Sequence, residues 1–181
     1  LSNDIDKNDA HFILDERTEE GFYKITNGEE IAIARAISFA PYSDILWCET
    51  PSPNLEFAKK FAKSIHEKYP NKILAYNCSP SFDWNSELTK DEISSFQNEL
   101  GDLGYKFQFI SIAGFHSLNT SMFELAHNYK EKHLTAYAEL QEKQKSLKEY
   151  GFTSSNHQRE VGAEYYEKIS IILSKSTKSL T

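Results

Sequence analysis

Two patterns of apolar residues alternate along this chain. Residues 45–48 form a short apolar run, Ile45-Leu46-Trp47-Cys48, followed by Glu49-Thr50-Pro51-Ser52-Pro53, where two prolines end any strand ladder and prepare a helix start. Residues 54–69 then carry Leu55, Phe57, Ala58, Phe61, Ala62, Ile65 and Tyr69, a spacing of three and four that lines one face of an amphipathic helix. Pro70-Asn71 stops it. The cycle repeats: residues 72–76 read as a second apolar strand, 77–86 as a polar loop, and Thr89-Lys90-Asp91-Glu92 as a capping box opening a helix that runs to about Leu103. Gly101 and Gly104 mark its end, and residues 105–112 read as a third strand. One more helix, over residues 29–39 with Ile31, Ala32, Ala36, Ile37 and Phe39, precedes the first strand.

Continuous apolar strands joined by helical crossovers predict a parallel sheet covered on both faces, so the chain reads as α/β. Three strands alone leave apolar edges exposed, whereas a (β/α)8 barrel abolishes edges but needs roughly 250 residues. At 181 residues, starting with Leu1, the chain reads as a portion of a TIM-type barrel and a piece of something longer. Residues 1–116 are the expected partial barrel. From 117 to 150 Gly and Pro are absent, and Met122, Leu125, Tyr129, Leu134, Tyr137, Leu140 and Leu147 recur at near-helical spacing. Gly151 punctuates this segment, and Tyr165, Ile169 and Ile172 stay in step through a last helix. Residues 117–174 are therefore an appended helical region, and 175–181 a polar, frayed tail. The stripes can pack on the chain's own barrel or on a neighbouring subunit; the second reading is favoured, because helices added to a closed barrel need another surface.

Charge and composition narrow the function. Twenty Lys plus Arg against twenty-seven Asp plus Glu give a net charge of −7, with the basic residues scattered, which argues against nucleic-acid binding. No apolar run approaches the ~20 residues of a membrane span, and no leader pattern opens the chain, so a cytoplasmic location is expected. Two cysteines, Cys48 and Cys78, are too few for a disulfide scaffold and read as reduced thiols.

In parallel barrels chemistry gathers at the carboxyl ends of the strands. Three clusters lie there: Glu49-Thr50; Asn77-Cys78-Ser79-Pro80-Ser81; and Ser111 with Gly114 and His116. Asn77, Ser79 and Ser81 alternate with period two, so an extended chain would point an amide and two hydroxyls the same way. Such a neutral, donor-rich wall suits a carboxylate, although Asn-x-Ser-Pro-Ser also reads as an ordinary turn.

The segment from Lys72 to Trp84, including Tyr76-Asn77-Cys78-Ser79-Pro80-Ser81-Phe82-Asp83-Trp84, resembles the seventh-strand signature of isocitrate lyases. Ala40-Pro41-Tyr42-Ser43-Asp44-Ile45-Leu46-Trp47-Cys48-Glu49-Thr50 is similar to the sixth strand of that family. Gly104 to Ile110 with Ala113-Gly114-Phe115-His116 resembles the eighth, and His157-Gln158-Arg159-Glu160-Val161-Gly162 a motif near the C-terminus. The resemblance covers nearly all of the chain and implies the C-terminal part of the barrel. It also implies the activity: Mg²⁺-dependent retro-aldol cleavage of isocitrate to glyoxylate and succinate in the glyoxylate bypass, by a cytoplasmic homotetramer.

By that resemblance Asn77, Ser79 and Ser81 bind substrate carboxylate. Ser111 does so as well, where the family usually has threonine. Glu49 falls on a family glutamate near the reacting centre, with a proton-transfer or substrate-contacting role set against a solvated carboxylate capping the helix after Pro51. His116 reads as a buried, satisfied histidine or a supporting partner, and His157 and Arg159 as interface residues. The family's catalytic cysteine lies in a Lys-Lys-Cys-Gly-His motif that this sequence lacks, and neither Cys48 nor Cys78 has a neighbouring Lys or His to take its place. The Mg²⁺ ligands are expected in an N-terminal part not included here; Asp4, Asp6 and Asp9 read as solvated loop residues. The family's terminal lid is expected beyond residues 177–181. The chain alone is therefore expected to be inactive, contributing substrate contacts and oligomer-forming helices. Methylisocitrate lyase, or a non-catalytic interaction fragment, are the alternatives.

Overall fold

The computed structural model describes residues 5–174. The expected frayed tail, 175–181, and Asp4 lie outside the described residues. Contacts divide the chain into two units, Leu1–Ala113 and Gly114–Thr181.

In the first unit an antiparallel hairpin, β1 (Ile13–Arg17) and β2 (Tyr23–Ile25), precedes helix α1 (Glu29–Phe39). The hairpin has no counterpart in the sequence reading, because Asp15, Glu16 and Arg17 break any apolar alternation. Polar and aromatic contacts hold it instead: the Arg17 guanidinium lies 3.8 Å above the Tyr23 ring and donates to the Gly21 carbonyl at 2.9 Å.

The strands β3 (Ile45–Cys48), β4 (Ile73–Asn77) and β5 (Tyr105–Phe109) form one parallel sheet in sequential order. Helices α2 (Leu55–His66) and α4 (Lys90–Asp102) make the crossovers, with a short α3 (Trp84–Glu87) inside the loop after β4. Both crossover helices start where the sequence says. Asn54 Oδ1 accepts the Phe57 N–H at 2.8 Å, and Thr89 and Glu92 complete the reciprocal capping box at 2.8 and 3.3 Å. Sequential strands with right-handed crossovers put their helices on a single face, as in a barrel wall. There Leu46, Leu74, Tyr76 and Tyr105 pack against Ala58, Phe61, Ile65, Phe96 and Leu100, all buried.

The opposite face corrects the expectation of a sheet covered on both sides. Ile45, Trp47, Ile73 and Phe107 are 42–58 % exposed on it. The architecture is α/β, with three strand–helix units consistent with part of a TIM-type barrel.

A register shift sets which residues of β5 reach that open face. Leu74 pairs with Tyr105 but Ala75 with Phe107, so Lys106 is an extra residue and the inward series becomes Phe107 and Phe109. Trp47, Ala75 and Phe107 thus lie in one row across the three strands.

Gly104, with a φ of +98°, makes the turn into β5. A Cβ there would stand 2.5 Å from His66 Cε1, while His66 Nε2 bonds the Lys72 carbonyl oxygen at 2.9 Å. Gly104→Ala is therefore expected to destabilise this unit by about 1–3 kcal/mol in urea unfolding, from backbone strain plus displacement of His66. An unchanged midpoint would show that the turn relaxes without cost.

The second unit is helical: α5 (Ala113–Lys132, starting at the boundary), α6 (Leu134–Ser146), α7 (His157–Glu160) and α8 (Ala163–Ser174). His133, at φ +52°, breaks the long Gly-free stretch in two, and Gly151, at φ +88°, ends the turn after α6. Ala136 is its one fully buried apolar residue among those described; Met122, Phe123, Leu134 and Ile172 are exposed.

Candidate functional site

Glu49, Asn77 and Ser111 lie just beyond the ends of three adjacent strands or at them, and one side chain joins all three. Asn77, the last residue of β4 and 6 % exposed, donates from Nδ2 to Glu49 Oε1 at 3.1 Å. Its Oδ1 accepts the Ser111 backbone N–H at 3.4 Å. A single carboxamide, a donor at one end and an acceptor at the other, therefore links a carboxylate and a peptide N–H that sequence separates widely. Strand alternation turns Asn77 to the open face, in the inward series that holds Ala75 and, across the register, Phe109. Trp47 and Phe109 meet edge to face there, with ring centroids 5.1 Å apart.

Ser111 reaches Asn77 through a strained turn. Ile112, β-branched, has a φ of +53°, a conformation that costs of order 1–3 kcal/mol and persists only where surrounding structure imposes it.

The run from Asn77 to Ser81 does not stay extended. Cys78 N–H still bonds the Phe109 carbonyl at 2.8 Å, but Ser79 and Phe82 then close a turn at 3.2 Å with Pro80 at its second position. Ser79, 8 % exposed, accepts the Ser81 backbone N–H on its Oγ at 3.2 Å, leaving its own O–H to donate elsewhere. Ser81 is exposed. The structure thus joins Glu49, Asn77 and Ser111 directly and links Ser79 to Ser81, while the shared direction that period two implied is lost at Pro80.

Sequence reasoning passed over Tyr76 and gave Thr50 no role. Tyr76 is fully buried, and its hydroxyl lies 2.7 Å from Thr50 Oγ1 and accepts the Asn54 N–H at 3.4 Å. A tyrosine inside an apolar strand must bring its hydroxyl to a partner, which is the signal that could have found this pair.

Cys48 and Cys78 are both buried, and burial raises both thiols, Cys48 to about 11. Such thiols are protonated and inert near neutrality. Because the folded value lies above the ordinary 9.0, the Cys48 contribution is intact below pH 9 and is lost as pH rises through 11. Stability is expected to fall by about 2–3 kcal/mol from pH 9 to 11 on this account. Urea midpoints should drop less for Cys48→Ser over that range; an equal drop would assign the alkaline loss to other groups.

Two charged expectations change. Asp9 is not simply solvated but pairs with Arg35 at 3.1 Å. His116 is exposed in the first turn of α5 rather than buried. His157 and Arg159 are exposed on α7.

The residues present do not fit a divalent cation. Among those described no three His, Cys, Asp or Glu side chains converge, and Glu49 is the one carboxylate in the Asn77 junction, where Mg²⁺ requires several oxygen ligands. Among the described residues no helix is long and apolar enough to cross a membrane.

Comparison with known proteins gives the chain its relatives. The model of the isocitrate lyase family matches residues 1–180. The isocitrate lyase of Halalkalibacterium halodurans is 52 % identical over 181 residues, all of this chain and 42 % of that protein. That of Corynebacterium glutamicum is 52 % identical over 170 residues, 93 % of the chain and 39 % of the relative. That of Escherichia coli K12 is 46 % identical over 183 residues, again the whole chain and 42 % of the relative. The chain thus spans about two-fifths of the curated relatives it matches. A family model that covers residues 1–180, with relatives about half identical over the whole chain, has one explanation: the chain belongs to the isocitrate lyase family.

Proposed function

We propose that this chain is part of an enzyme that cleaves isocitrate to glyoxylate and succinate, a carbon–carbon lyase. Residues 1–116 supply the last strand–helix units of its barrel and substrate-carboxylate contacts. Residues 117–174 supply helices for assembly into a homo-oligomer, a tetramer by family resemblance, in the cytoplasm. Mg²⁺ dependence belongs to the same reading, with the ligands assigned to the portion of the relatives this chain does not span.

The observation that carries the reading is the Asn77 carboxamide, which gathers Glu49 and Ser111 at the rim of the open sheet face. In the proposed reaction a base takes the hydroxyl proton of isocitrate and the C–C bond breaks. Glyoxylate leaves as the aldehyde, and the electron pair passes to the succinate fragment, which is then protonated at carbon. Negative charge collects on a carboxylate of that fragment. Preorganised neutral donors aimed at it stabilise the charge as it develops. Ser79, whose Oγ is already held by the Ser81 N–H, Ser81, Ser111 and the second Nδ2 proton of Asn77 are those donors. Glu49 sits beside them as a substrate-contacting or proton-transfer group. The three relatives named above are isocitrate lyases, which does not favour the methylisocitrate alternative.

In a complete lyase carrying this chain, Ser79→Ala is expected to lower kcat/KM by about 1–3 kcal/mol, roughly 5- to 150-fold, the scale of a hydrogen bond to a charged group. Unchanged kinetics would remove Ser79 from the site. Preference for methylisocitrate over isocitrate in the same assay would overturn the substrate assignment.

A further inference from the structure

Consecutive residues of β4 grip consecutive residues of the loop after β3. Asn77, on the open face, holds the Glu49 side chain at 3.1 Å. Tyr76, on the helix-covered face, holds Thr50 through its hydroxyl at 2.7 Å and takes the Asn54 N–H at 3.4 Å. The loop from Thr50 to Asn54 is thus pinned at both ends to one phenol. That phenol is itself immobile: Tyr76 is 0 % exposed, with Phe96 and Tyr105 edge-on at 5.9 and 5.7 Å. Thr50 is 7 % exposed, so its hydroxyl has no ready exchange with solvent. Asn54 in turn caps α2, which ties the loop's far end to the crossover helix.

We propose that Tyr76 and Thr50 are positioning residues for Glu49, an inference that rests on the reading of Glu49 as a group at the reacting centre. Glu49 is exposed and, among the described residues, its carboxylate has one side-chain hydrogen bond, from Asn77. One bond fixes a distance but leaves the loop backbone able to rotate the side chain. The Tyr76–Thr50 bond on the other face removes that freedom, because Glu49 and Thr50 share a peptide group. The hydroxyl pair acts on the chemistry through the geometry of Glu49 and without touching substrate.

The test uses a complete lyase carrying this chain. Tyr76→Phe keeps the ring and its packing, and Thr50→Val keeps the shape of the side chain while removing the hydroxyl. Each is expected to lower kcat roughly ten-fold with KM changed by less than about two-fold, and the double variant to be no worse than either single one. Thr50→Ser should restore kcat. In a Glu49→Gln background, Tyr76→Phe should add no further loss. A wild-type kcat for Tyr76→Phe with only a lowered melting temperature overturns the proposal, as does a full Tyr76→Phe penalty in the Glu49→Gln background. Wild-type kinetics for Glu49→Gln itself overturn instead the reading of Glu49, and with it the reason for a positioning pair.

Discussion

Incubated with isocitrate and Mg²⁺, the isolated 181-residue chain is expected to form no glyoxylate above a protein-free control. Three properties of the molecule require this. No set of three potential metal ligands converges among the described residues. Both thiols are buried in the helix-covered core, so neither reaches a substrate carbon held at the open face. The face that carries Glu49 and Asn77 is also an exposed apolar surface, with Trp47 58 % and Phe107 55 % accessible, so water is not excluded from any ligand held there. Electrostatic stabilisation depends on a dry, preorganised setting, and the chain by itself provides donors without that setting. A phenylhydrazine-coupled assay on pure chain is the measurement. Turnover that scales with its concentration would mean that the acid, the base and the metal ligands all lie within these residues.

Asn77→Ala in a complete lyase is expected to lower kcat/KM by about 10²- to 10³-fold, equivalent to about 3–4 kcal/mol. The loss exceeds that for Ser79→Ala because two bonds go at once and the Glu49 carboxylate loses its donor. Asn77→Asp is the sharper variant. It conserves shape but puts an oxygen opposite Glu49 Oε1 in place of the Nδ2 donor now 3.1 Å away. Two carboxylates at that separation cannot both ionise without cost, so one will titrate at raised pH. The expected result is a loss at neutral pH that is partly recovered as pH falls and the pair takes up a proton. A variant as active as the parent at every pH would show that the junction does not form part of the reacting centre.

The helices were legible because their signals are local. Glu29–Phe39 occupies the span read from its apolar spacing, and the Thr89–Glu92 box and Asn54 cap form the bonds their residue types imply. The direction of Ser81 was not legible for an equally local reason. Period two assumes an extended chain, and Pro80 with the Ser79 hydroxyl favours a turn. The β1–β2 hairpin escaped because its strands are held by Arg17, Tyr23 and Gly21 rather than by an apolar face. The open face escaped because an apolar run looks the same whether one or both of its sides are covered; burial belongs to the neighbours, not to the run.

From residue types and their spacing came the α/β alternation, the bounds of α1, α2 and α4 and the three strand-end clusters, and from the resemblance of its motifs came the family. Those follow from periodicities and caps that act over a few residues, and from motifs read in order. Only the tertiary structure could decide that Glu49, Asn77 and Ser111, 28 and 34 positions apart, meet at one carboxamide. Parallel pairing of three strands, with the extra residue at Lys106 choosing which side chains of β5 turn inward, sets that meeting. Register is a property of paired backbones, and no single strand carries it.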